Sequence, residues 1–294
     1  MLRSAAVERR PYLIGIAAIL GAAITWSTGG LLIKLIDLPP LKIALYRSLV
    51  ASVCLALVAG RGWSRLRPQA SGVILSYAIL VTLFVVANKW TTAANAILLQ
   101  STAPVWVIVF GIFIEHTRPR PMDIAAVLAA LGGLLLVLGE QVGATGGRGN
   151  VAALASGVFF GLMMLLMRRQ RATPLLQTVA LGNLASVVLA LPWVWPDLAL
   201  TGRQAALLAL LGAGQLGLGY LLFTVAIRRL PTLEVSLLAL LEPVLNPIWV
   251  YLGYGEKPGR LAIAGGAIVV TVLALHASAT ARRKAQDDGS ARKE

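Results

Sequence analysis

Ten apolar stretches, each long enough to cross a bilayer, occupy this chain from Tyr12 to about Leu275 and leave no room for a soluble domain. A hydrocarbon core of roughly 30 Å needs about 20 helical residues, and backbone inside lipid must satisfy its own hydrogen bonds. The spans read as 12–36, 40–60, 72–90, 92–114, 122–139, 149–167, 174–195, 204–226, 232–252 and 259–277. The fifth is short, and the break between the third and fourth is faint. The implied fold class is an all-α polytopic membrane protein with ten transmembrane helices.

A net charge of +14 would suggest nucleic acid in a soluble protein, but here position decides the meaning of charge. With the N-terminus inside, 18 basic residues fall on the inner side: Arg3, Arg9, Arg10, Arg61, Arg65, Arg67, Arg118, Arg120, Arg168, Arg169, Arg171, Arg228, Arg229, Arg282, Arg283, Lys284, Arg292 and Lys293. The outer loops hold five: Lys89, Arg148, Arg203, Lys257 and Arg260. That bias places both termini in the cytoplasm of a multi-pass protein of the cell's inner membrane. The expected partner is the lipid bilayer, with no nucleic acid. The lone Cys54 has no intramolecular disulfide partner. The first span is longer than a signal-peptide core and is read as retained. Residues 1–11 read as a cytoplasmic N-terminus, and 278–294, charged and rich in small residues, as a disordered basic cytoplasmic tail.

The chain repeats itself. "LLQSTAPVWVIVFGIFIE" closes the fourth span and "LLALLEPVLNPIWVYLGYGE" the ninth, so Pro104 aligns with Pro243 and Glu115 with Glu256. Two copies follow, 12–140 and 149–277, each of five spans. After an odd number of crossings the second copy enters from the opposite side, so the repeats are inverted. Inverted repeats can exchange conformations about a two-fold axis in the membrane plane and expose a midplane site to either side. Duplication that merely enlarges a bundle is the competing reading.

The residues that carry a family likeness are "WSTGG" with Lys34, Arg47, and "ANKWTTAANAILLQSTAPVW" in the first half. In the second half they are "RRLPTLEVSLLALLEPVLNPIW" and Gly255–Glu256. In their order and spacing they resemble the drug/metabolite transporter superfamily, in its ten-helix branch with two EamA-type domains. The first half departs from the pattern, with Ala103 before Pro104 and Ile114 before Glu115. The resemblance implies an exporter of small metabolites, most plausibly amino acids, working by alternating access.

Polar groups at membrane depth tend to face a cavity or a partner. Glu242 falls about 15 Å into the ninth span by helical rise. It either binds an ammonium or carries a proton, or it is a buried carboxyl that is neutral or paired with Arg47 or backbone. Pro104, Pro243 and Pro247 free backbone carbonyls and read as hinges. Gln100 and Asn246 are neutral hydrogen-bonders one turn or less from those prolines. Trp26, Ser27 and Thr28 interrupt the first span, and Gly29–Gly30 permit close approach. Tyr77, Gln215 and Tyr220 add aromatic and amide groups at similar depth, and Phe159, Phe160, Met163 and Met164 an apolar wall. The candidate substrate-binding residues are therefore Trp26, Tyr77, Gln100, Gln215, Tyr220, Glu242 and Asn246. Arg47 reads either as an attractor of a carboxylate or, as the family match and its shallow depth favour, as a structural ion pair or a snorkelling cation. Lys34 and Lys89 read as snorkelling cations or as guides for an anionic substrate group.

An enzyme would need histidine clusters, paired acids or an activated nucleophile. His116 and His276 lie far apart and no such motif occurs, so no enzyme, cofactor or metal is expected. A channel is disfavoured by inverted repeats with kinked spans. A carrier of nucleotide sugars or phosphate esters would want several cavity cations, and a small-multidrug-type exporter of organic cations a first-span carboxylate. An aromatic and amide-lined cavity suits zwitterions better, and the duplication already supplies both halves within a monomer.

Overall fold

Proline and hydroxyl residues divide the apolar sequence into helices where the spans were expected. In the computed structural model, residues 2–60, 68–139, 146–170, 174–254 and 259–290 are described. The first span is α1 (Leu2–Trp26) with α2 (Gly29–Leu35), the second α3 (Pro40–Ala59) and the third α4 (Ala70–Trp90). The fourth is α5 (Ala93–Gln100) with α6 (Ala103–Glu115), the fifth α7 (Pro121–Leu138), the sixth α8 (Gly147–Arg169) and the seventh α9 (Leu175–Val194). The eighth runs through α10 (Gly202–Ala209), a π-helical stretch (Leu210–Leu218) and α11 (Gly219–Ile227). The ninth is α12 (Thr232–Ala239) with α13 (Leu241–Tyr254), and the tenth is α14 (Arg260–Ser290). Nine stretches of the described residues are helical, long and apolar enough to cross a membrane, and the divided α12–α13 pair is the remaining one. The protein is an all-α polytopic membrane protein.

Of the residues discussed above, Arg61, Arg65, Arg67, Arg171, Gly255, Glu256, Lys257, Arg292, Lys293 and the repeat boundary at 140 lie outside the described residues. So do the side chains of Arg3, Arg9, Asn246, Pro247 and Lys284. Residues 278–290 of the segment read as a disordered tail continue the tenth span as helix, because their Ala, Arg, Lys and Gln residues favour it.

Each helix end has a local cause. Pro40 and Pro121 sit in the first turns of α3 and α7, where a missing N–H costs nothing. Thr92 caps α5 by accepting from Asn95 N, and Thr201 caps α10 through Gln204. Gly146 starts α8 at φ 84, where a β-carbon would stand 2.6 Å from the Trp90 carbonyl. Outward faces stay apolar, with Leu57, Phe113, Leu128, Val151, Leu252 and Leu275 all exposed. In water such a surface would aggregate; lipid is its solvent.

The packing follows the repeat. The third span packs on the sixth (α4 on α8), and its counterpart, the eighth, packs on the first (α11 on α1). The third also packs on the seventh (α4 on α9), and the eighth on the second (the π stretch on α3). The fourth meets the sixth as the ninth meets the first. Three contacts join counterparts directly: α6 to α12, α3 to α9 and, through a seam of small residues, α7 to α14. At the last a β-carbon on Gly133 would lie 3.0 Å from the Gly265 carbonyl, and one on Gly265 2.4 Å from that of Gly133. Small residues let these backbones touch, as membrane helices require when no hydrophobic effect drives them together. This mated pattern is what an inverted duplication of five helices produces.

Candidate functional site

The fourth and ninth spans break at matching places. Pro104 has no N–H to give the Gln100 carbonyl, and Pro243 none for that of Ala239. Each proline begins the second half-helix, after a junction at Ser101 in one repeat and Leu240 in the other. Ser101 Oγ donates to the Ile97 carbonyl at 2.7 Å and Thr102 Oγ1 to that of Leu99 at 2.7 Å, on either side of the turn that leads to the junction. α8 crosses this junction at Gly157, whose bare Cα faces the Leu99 and Gln100 carbonyls.

The first span breaks for a different reason. Thr25, Ser27 and Thr28 donate their hydroxyls to the Ala22, Ile24 and Thr25 carbonyls at 2.8, 2.7 and 2.7 Å. Such back-bonding bends helices, and here α1 ends at Trp26. The neighbouring eighth span answers with its glycine-rich π-helical stretch, a form often found at functional sites. A β-carbon on Gly29 would stand 2.6 Å from Gln215 Nε2, and one on Gly219 2.3 Å from Trp26 Nε1. Only bare glycines let the two irregular segments close on each other. Trp249 Nε1 of α13 donates to Ser27 Oγ at 2.7 Å and ties the ninth span to the same break.

Around these irregularities lies a cavity of about 30 Å³, lined by Trp26, Arg47, Leu80, Val81, Phe84, Gln100, Phe160, Gln215, Leu216, Tyr220 and Glu242. That is room for one or two water molecules. Gln100 ends α5 and Glu242 opens α13, so each borders one of the matched breaks. The aromatic side is continuous: the Trp26 ring centroid lies 5.0 Å from Tyr220, 5.5 Å from Phe223 and 5.8 Å from Phe160. The polar side is under-satisfied. Trp26 Nε1, Arg47 Nε and Nη1, and Gln215 Oε1 are buried without a hydrogen-bond partner among the described residues.

Of the seven residues expected at the site, the structure brings Trp26, Gln100, Gln215, Tyr220 and Glu242 to this cavity. Tyr77 stands behind the wall. It is fully buried, meets Tyr220 edge-on at 4.6 Å, and its hydroxyl accepts from Asn183 Nδ2 at 2.8 Å. Asn246 contributes no described side chain. Phe160 joins the lining, whereas Met163 and Met164 are core.

The cations differ from the reading above. Arg47 neither snorkels nor forms an ion pair among the described residues. It is 1% exposed, points inward and donates Nη2 to the Val81 carbonyl at 2.5 Å. Depth along a helix does not reveal direction around it, and the π stretch seals the outer side, with Gly212 against the Arg47 carbonyl. Lys34 and Lys89 instead cross-cap two helix ends. Lys34 Nζ donates to Thr91 O at 2.9 Å, beyond α4, and Lys89 Nζ to Ile36 O at 2.6 Å, beyond α2. Cations there meet the negative ends of both helices.

The EamA-like transporter family matches this chain twice, over residues 13–139 and 147–277. The chain is 30% identical over 206 residues to the aromatic amino acid exporter YddG of Ancylobacter novellus, covering 64% of this chain and 70% of that one. It is 26% identical over 259 residues to the pseudopaline exporter CntI of Pseudomonas aeruginosa, covering 85% and 90%. It is 28% identical over 204 residues to the threonine/homoserine exporter RhtA of Escherichia coli, covering 65% of each chain. A crystal structure 22% identical superposes with a TM-score of 0.75 over 94% of this chain and 98% of its own, and shares the fold.

Proposed function

Because the chain belongs to the EamA-like transporter family, we propose that this membrane exporter of small metabolites carries amino acids by alternating access. The observation that carries the reading is one cavity, lined from both repeats and set at the matched helix breaks, with aromatic and amide groups, one basic side chain and one acidic side chain. Trp26, Gln100, Gln215, Tyr220 and Glu242 form the binding wall in this reading, with Tyr77 supporting Tyr220. Pro104, Pro243 and Pro247 are the hinges. Amides and an arginine suit a carboxylate, a glutamate suits an ammonium, and aromatic faces suit the side chain. Exporter relatives of differing amino-acid substrates support the class. A nucleotide-sugar or phosphate-ester carrier would need more than the single cavity cation Arg47.

The protein works in this proposal as a monomer in the inner membrane with both termini cytoplasmic, which the bias of basic residues supports. In sealed cells, cysteines at Arg118 and Arg283 should resist a membrane-impermeant thiol reagent and one at Arg203 should react. The reverse pattern overturns the orientation. The function is tested by counterflow in proteoliposomes with labelled amino acids, nucleotide sugars and organic cations. Uptake of several amino acids, lowered together by Gln100→Ala and by Trp26→Ala, is the expected result. Movement of only the other two classes would sink the substrate assignment. Glu242→Gln is expected to lower amino-acid flux; flux retained with its pH dependence lost would instead make Glu242 the proton carrier.

A further inference from the structure

Arg47 carries more donor capacity than the protein uses. One N–H bonds the Val81 carbonyl, while Nε and Nη1, on a side chain 1% exposed, meet no acceptor among the described residues. The described ion pairs lie elsewhere, Lys42 with Asp197 and His276 with Asp123, so neither neutralises it. Glu242 shares the cavity with Arg47 but lies beyond ion-pair distance of it. Capping one carbonyl needs only an amide; a guanidinium at this depth is costly unless an anion joins it.

The remaining unmet groups complete the pattern. Trp26 Nε1 is a further free donor, and Gln215 Oε1 and the Glu242 carboxylate are acceptors on the same cavity. Donors and acceptors there match the two ends of a zwitterion. We propose that Arg47 is the anion anchor of the transport site, taking the solute's carboxylate on Nε and Nη1 with help from Trp26 Nε1. Glu242 and Gln215 Oε1 take the ammonium. The arginine fork fits a carboxylate's two oxygens, and a lysine at this position would supply charge without that geometry. This assignment rests on the transport reading above and adds a requirement to it: a free carboxylate on the solute. The small volume implies that the cavity widens to admit the solute.

The test uses the full-length protein in proteoliposomes with counterflow of labelled phenylalanine. Competitors are unlabelled phenylalanine, phenylalanine amide, phenethylamine and glycerol 3-phosphate. Against the wild type the amide and the amine should compete at least about ten-fold more weakly than the amino acid, as loss of a charge-assisted hydrogen bond implies. Arg47→Gln should raise KM by a similar factor and abolish that discrimination, and Arg47→Lys should restore part of it. Equal competition by the amide, or better competition by the phosphate ester, in the wild type overturns the anchor whether or not any variant folds. A well-folded Arg47→Gln protein with unchanged KM and discrimination also overturns it, and in these cases amino-acid transport itself stands. A wild type that moves neither phenylalanine nor threonine removes the transport reading and the anchor together.

Discussion

Gly29, against Gln215 Nε2, and Gly219, against Trp26 Nε1, determine how closely the cavity's polar groups are held. A β-carbon on Gly219 would collide with Trp26 Nε1 at 2.3 Å and with Thr25 Oγ1 at 2.9 Å, and the indole is clamped by Tyr220, Phe223 and Phe160. Gly219→Ala should therefore destabilise the protein by about 1–3 kcal/mol, as overpacking does, and lower counterflow. Gly132→Ala in α7 meets nothing within 4 Å, so it should be neutral or stabilising by up to about 1 kcal/mol through helix propensity. Thermal unfolding of the two variants side by side decides this, and equal effects would mean that the crowding at Trp26 is not felt. The same neighbourhood shows what the chain's sequence makes legible. Trp26, Gln100, Gln215, Tyr220 and Glu242 stand out because a polar or aromatic group inside an apolar run is anomalous in lipid. Arg47 stands out equally, yet its direction depends on which helix seals its outer side, and residue counting holds no such information. Tyr77 could not be told from a lining residue, because what separates it from the cavity is Tyr220, on another span.

At the scale of elements, bilayer thickness makes span lengths legible, and proline marks the breaks in the fourth and ninth spans. The π-helical stretch is less legible, since its glycines alone are equally compatible with an ordinary helix packed closely on its neighbour. The matched prolines sit where half-helices meet, so their removal would restore a hydrogen bond across each junction and stiffen it. Pro104→Ala with Pro243→Ala should slow maximal flux by about ten-fold, roughly 1.4 kcal/mol on the barrier, while KM changes far less. Unchanged flux in a well-folded double variant would remove the hinges. A second element-level device lies outside the membrane, between the seventh and eighth spans. Asp197 receives a hydrogen bond from Lys42 Nζ at 2.9 Å, and the Leu198 carbonyl accepts from Tyr46, latching this loop to α3. The Lys42 hydrogen bond, then the Ala199 N–H, holds the Asp197 carboxyl below its ordinary value. A carboxylate shifted downward stabilises the folded state above its unfolded pKa and loses that contribution as pH falls through the lowered one. Asp197→Asn should therefore flatten the acid limb of a melting-temperature profile below about pH 4; an unaltered limb would mean that the latch contributes nothing measurable.

For the whole molecule, inverted duplication predicts which contacts transport must break. If the repeats exchange conformations as proposed, every contact between a residue of one half and a residue of the other would be traded for its mirror contact at the opposite face. Such a pair is visible here. At one end α8 brings Gly149 and Asn150 against Thr91, with Thr91 Oγ1 bonded to Asn150 Oδ1 at 2.8 Å. At the other end α1 brings Gly15 against Leu230, and Tyr12 donates to Glu234. Both are made at once, which fits a cavity whose volume of about 30 Å³ is too small for an amino acid. Opening either side requires losing one of them. A contact between equivalent residues has no distinct mirror and persists in every state. Ser48 of α3 and Ser186 of α9, with hydroxyls 3.3 Å apart, join two counterpart spans, whose contact would map onto itself in the exchange. Short side chains in contact at both sites suit disulfides. In a Cys54→Ala background, a Thr91→Cys/Asn150→Cys bridge should halt counterflow until reduced. A Ser48→Cys/Ser186→Cys bridge, once mass spectrometry shows it formed, should leave most of the flux. If the α3–α9 bridge blocks transport as fully as the terminal one, the halves do not exchange in this way, and the duplication serves only to build the bundle.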